Sequence, residues 1–159
     1  MLNRIFPKQF DNNFRGNRLA IWLFALIMFM ELSIAGTSIL DTRSAIIQAD
    51  RIPLDNYGAQ AAAVVITLFI ITGLFRVLFA FQGVVALIRY RAMIPFMYLL
   101  FLILHLGSKG FLFLHPYART ASTDRSGYFF ILAIIVMLLV GFGLSLLGKS
   151  KPSMRDGAS

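Results

Sequence analysis

Four ionisable side chains interrupt otherwise apolar stretches of this chain: Glu31, Arg76, His105 and Lys109. A charge at the centre of a bilayer costs about 2.5–3.5 kcal/mol on insertion scales, so such groups face one another or a cavity rather than lipid. A carboxylate can accept two hydrogen bonds from a guanidinium, which presents a planar fork and keeps its proton. Glu31 lies twelve residues beyond Leu19, Arg76 twelve before Ile88 and His105 thirteen beyond Ala92. At about 1.5 Å per helical residue, these offsets put all three roughly 18–20 Å above one membrane boundary. Equal depth allows a buried cluster in which Glu31 accepts from Arg76 with His105 adjacent.

Lys109 follows His105 by four residues and shares its helix face, with Ser108 beside it. With His105 neutral, the four groups carry one surplus positive charge, which an anion, a lipid headgroup or a deprotonated Lys109 would resolve. The plainer reading for Lys109 is a stem that snorkels to the nearer boundary. The plainer reading for the cluster is a structural pair that sets helix register. Thr72, Gly73, Ala80 and Gly83, near Arg76 in helical spacing, would let a second helix come close.

The elements that carry these residues follow from composition. Of 159 residues, 58% are hydrophobic and 14% charged, with a mean hydropathy of +0.78; a soluble domain has nearer a quarter charged. The apolar residues gather into blocks at about 19–40, 58–88, 92–114 and 128–147. Each suffices to cross a hydrocarbon core of about 30 Å as a helix. The expected fold is all-α, a polytopic membrane protein built as an antiparallel bundle of four transmembrane helices. Residues 1–18 form a cytoplasmic amphipathic segment before it, and 149–159 a flexible cytoplasmic tail. Glu31 and the long preceding segment make the first block a retained span rather than a removable signal. The fourth reads as lipid contact and packing, and Trp22, Tyr90, Tyr98, Tyr117 and Tyr128 largely as boundary anchors.

Cations fix the orientation. Arg4, Lys8, Arg15, Arg18, Arg89, Arg91, Lys149, Lys151 and Arg155 flank the spans on one side, nine against Arg43, Arg51, Arg119 and Arg125 on the other. The positive-inside rule places both termini in the cytoplasm. Arg4, Lys8, Arg15, Arg18, Arg89 and Arg91 are the expected membrane-surface residues. The net charge of +8 is thus a topology signal, and no basic domain is present to dock on nucleic acid.

The chain has no Cys, which removes thiolate metal sites and cysteine nucleophiles. His105 and His115 are ten residues apart, a rotation of about 280° on one helix, so they do not converge on a haem or metal. No phosphate-binding Gly loop, nucleophile elbow or zinc-protease motif occurs. No catalytic residue, metal or cofactor is assigned.

Two junctions carry a resemblance: Phe6 to Ala20 (FPKQFDNNFRGNRLA) and Gly83 to Pro95 (GVVALIRYRAMIP). They resemble a group of small proteobacterial inner-membrane proteins of unknown function, which implies a bacterial inner-membrane location and no particular chemistry. The expected role is a noncatalytic structural or accessory component that associates with itself or with a larger membrane complex, its other partner being the lipid bilayer. The alternative is a small ion, proton or anion transport protein using the polar cluster. The first expects a sealed polar layer, the second a water-accessible cavity beside it.

Overall fold

The structure, a computed structural model, describes residues 5–6, 11–115 and 126–147. Among these, all regular structure is helical. Four helices are long and apolar enough to cross a membrane: α1 (Arg18–Leu40), α2 (Ala59–Ile88), α3 (Ile94–Leu114) and α4 (Ser126–Leu146). Their bounds lie close to the apolar blocks of the sequence, since continuous apolar runs in hydrocarbon must satisfy their backbone internally.

The helix ends have local causes. The Asn17 side chain accepts from Leu19 N at 3.0 Å and caps α1. Pro95 occupies the first turn of α3, where its missing N–H is harmless. Residues 11–17, expected to continue an amphipathic segment, are not helical. They are tied to the bundle instead, through Asn17 N to Leu144 O at 3.1 Å and Ala92 N to Asp11 O at 3.3 Å. Phe14 packs against the core, while Arg15, Arg18, Arg89 and Arg91 stay exposed. Arg4 and Lys8, and the tail from residue 149, lie outside the described residues.

α1 is the central element, packed against α2 on one flank and α4 on the other, and α4 also packs on α3. The core joins Ala20, Phe24, Ile27 and Met28 of α1 to Met97, Tyr98, Phe101 and Leu102 of α3 and Ile134 and Leu138 of α4. The α1 members recur at three and four residues, one face of a helix. α4 thus supplies core, in line with the packing expected of it. α2 buries just Gly73, Ala80, Gly83 and Ala86, and only 11% of its span is buried. Its large side chains, among them Leu68, Phe75 and Phe81, are exposed, as suits a surface solvated by lipid.

Tyr98 departs from the expected boundary role. It is fully buried, donates to Ala20 O at 2.7 Å and meets Phe24 edge-on with ring centroids 5.0 Å apart. Its hydroxyl has found a backbone acceptor inside the bundle, so it has no need of the interface. Gly141 of α4 makes room for the ring, since a Cβ there would collide with it.

The link between α1 and α2 is compact. It holds a short helix (Thr42–Ser44), a π-helical turn (Ala45–Ala49) and a 3-10 turn (Leu54–Asn56). Ala45, Ile46 and Leu54 are buried, which turns the link inward and brings Ala49 and Asp50 over the bundle.

Candidate functional site

Glu31 occupies the buried stripe of α1, three residues beyond Met28 and four before Ala35. His105 continues the stripe of α3 set by Tyr98, Phe101 and Leu102. Arg76 sits among the small residues of α2, three beyond Gly73 and four before Ala80. A Cβ at Gly73 would lie 2.8 Å from Ile39 Cγ1, and one at Gly83 would strike Met28 Sδ; side-chain-free positions thus bring α2 close enough for the guanidinium to reach α1. Thr72 is exposed and takes no part in this approach.

The carboxylate of Glu31, 1% exposed, divides its oxygens between two helices. Oε2 accepts from Arg76 Nη1 at 3.2 Å, and Oε1 lies 3.0 Å from His105 Nε2. The two-bond Arg fork expected from sequence is replaced by a single contact, because the second oxygen faces α3. His105 is 5% exposed and Arg76 29%. The other ring nitrogen of His105, Nδ1, lies 2.9 Å from Phe101 O. Among the described residues the buried Oε1 has no hydrogen-bond partner; the imidazole approaches it without the alignment of a hydrogen bond.

Arg76, His105 and Lys109 also wall a partly open cavity of about 440 Å³. Lys109 is half-buried and lines this space. α1 contributes Ser33, Thr37 and Ser38, the link Ala49 and Asp50, α3 Ser108 and Leu112, and α4 Phe130, Ile131 and Ile134. At roughly 30 Å³ per liquid water, the volume holds on the order of ten waters, within the range of small-molecule sites.

The hydroxyls are fixed. Ser33 Oγ donates to Phe29 O at 2.9 Å, Thr37 Oγ1 to Ser33 O at 3.0 Å, Ser38 Oγ to Ile34 O at 2.9 Å and Ser108 Oγ to Leu104 O at 2.6 Å. Each proton is committed to its own helix, which leaves oxygen lone pairs for the cavity. The wall thus combines hydroxyl acceptors with nitrogen groups, and the α4 side is apolar. The four-residue spacing of Ser33 and Thr37 was a sequence signal for this wall. The approach of Asp50 and of α4 had no signal, because it depends on how the link folds.

His115 is exposed and stacks on Phe111 with ring centroids 4.5 Å apart, away from the Glu31 contact. Among the described residues no cluster of His, Cys, Asp or Glu is arranged for a metal ion.

These features define a helical protein with four span-length segments, compatible with a multi-pass membrane protein, and a carboxylate–guanidinium–imidazole contact bordering a cavity. No protein family, curated protein or solved structure matches the chain.

Proposed function

We propose that this is a bacterial inner-membrane protein whose four helices cross as an antiparallel bundle with both termini in the cytoplasm, and that it transports a small ion, proton or anion. The observation that carries the transport reading is the cavity of about 440 Å³ walled by Arg76, His105 and Lys109 and backed by Glu31. Ionisable groups in a membrane interior mark ion and proton paths when they border a space that water can fill. The antiparallel arrangement is supported by the order of contacts between α1 and α2: Gly73 faces Ser38 and Ile39, Arg76 meets Glu31, and Gly83 faces Phe24 and Met28. The orientation rests on the nine-to-four cation count, and the location on the junction motifs.

The accessory-component reading draws on a separate observation, that one carboxylate ties α1 to both α2 and α3. It expects a sealed polar layer, which the adjoining cavity does not favour. Purified protein in proteoliposomes separates the two. Wild type is expected to pass protons or a test anion above the level of empty vesicles, with Glu31→Gln reducing the flux at least tenfold. Background-level signals from both proteins would reject transport.

A further inference from the structure

We infer that the cavity binds a small monocarboxylate with an apolar tail, its carboxylate on Arg76 and its tail along α4; this names the anion of the transport reading above and in that sense rests on it. A guanidinium carries five N–H donors in one plane. In Arg76 one of them meets Glu31 Oε2 at 3.2 Å, and the rest have no acceptor among the described residues. The side chain is 29% exposed and stands in the cavity wall, so these donors are open to whatever enters. In the middle of a span they need acceptors that lipid does not supply. A carboxylate offers two in one plane, the pairing that suits a guanidinium fork. Lys109 adds a second positive charge to the wall, and the acid of the wall, Asp50, sits apart on the link.

The remaining wall decides what the carboxylate carries. Ser33, Thr37, Ser38 and Ser108 have given their protons to their own helices, so they turn oxygen lone pairs to the cavity. A second carboxylate beside them would meet acceptors only, which disfavours a dianion. Phe130, Ile131 and Ile134 make the α4 side apolar, and their spacing of three and four residues sets them on one helix face. A chloride or phosphate ion would lose hydration against that face without a replacement partner, whereas an alkyl tail gains by leaving water there. With about 440 Å³, room for on the order of ten water-sized groups, the cavity holds a short acid entire but not the two acyl chains of a membrane lipid.

The test reads binding and needs no flux. Full-length protein in phosphatidylcholine nanodiscs is titrated with radiolabelled hexanoate, and the signal of empty nanodiscs is subtracted. Saturable binding of one molecule per chain is expected, and equal concentrations of acetate, hexanol, chloride or phosphate should not displace it. Arg76→Gln should weaken binding at least tenfold. Because that variant also deprives Glu31 of its partner, Thr37→Phe serves as a second one: at an exposed position of the wall it fills the cavity, and it too should weaken binding at least tenfold with the melting temperature unchanged. Uptake no greater than that of empty nanodiscs, wild-type affinity in either variant, or displacement by any of the four competitors overturns the site. Loss of hexanoate binding when phosphatidylglycerol replaces phosphatidylcholine assigns the cavity to a lipid phosphate and overturns the soluble acid. Hexanoate binding without flux of any ion in proteoliposomes removes the transport reading alone, whereas proton or chloride flux without hexanoate binding removes this site alone.

Discussion

Glu31 and Arg76, 45 positions apart in the chain, meet through a single contact of 3.2 Å between Oε2 and Nη1, because the other carboxylate oxygen is turned to His105. The carboxylate is therefore a shared junction of three helices. Removing it takes away the acceptor of Arg76 and the neighbour of His105, and removing Arg76 takes away the carboxylate's hydrogen bond at Oε2.

Arg76→Met is expected to destabilise the protein by about 3–5 kcal/mol, because it leaves the buried Glu31 carboxylate without its cation. Glu31→Ala, which leaves a partly exposed guanidinium, should cost about 2 kcal/mol, as for a lost hydrogen bond to a charged group. Both are read by thermal unfolding in detergent. A neutral or stabilising Arg76→Met with helix contacts unchanged would show that this contact does not set the register of α1 and α2.

The glycines of α1 and α2 should respond in opposite directions. A Cβ at Gly36 meets nothing within 4 Å, whereas one at Gly73 crowds Ile39 and Ser38. Gly36→Ala should be neutral or stabilise by about 0.5–1 kcal/mol through the lower helix entropy cost. Gly73→Val should lose about 1–3 kcal/mol by overpacking. Equal shifts in melting temperature for the two variants would contradict the close approach of α2.

Tyr98→Phe keeps the ring against Phe24 and deletes the hydrogen bond to Ala20 O. A loss of about 1 kcal/mol is expected in the same unfolding assay. An unchanged melting temperature would mean that this hydroxyl contributes nothing to joining α3 to α1.

The absence of native Cys permits single-cysteine labelling without background. Thr37→Cys and Ser108→Cys, on the cavity wall, should react with a membrane-impermeant thiol reagent, and Phe29→Cys, on an exposed apolar face of α1, should not. In sealed spheroplasts, Asn56→Cys should label from outside and Tyr90→Cys only after lysis. Labelling of Phe29→Cys as fast as Thr37→Cys would contradict a watery cavity flanked by lipid-facing surface.

The sequence alone determined the four helical segments and a common level of Glu31, Arg76 and His105 along their helices, at which the three meet. Both follow from local rules: an apolar run must close its own backbone hydrogen bonds, and a fixed rise per residue turns position into height. The small residues beside Arg76 also told that a neighbour comes near, though not which one. Tertiary structure decided the rest. It turned one oxygen of Glu31 to Arg76 and the other to His105, placed Lys109 in the wall of a cavity, buried Tyr98, and folded Asp50 over the site. Those outcomes depend on how each helix is rotated about its axis and which helix stands beside it. That choice is made by side-chain packing among residues distant in the chain, and hydropathy, which is nearly uniform around these helices, carries little record of it.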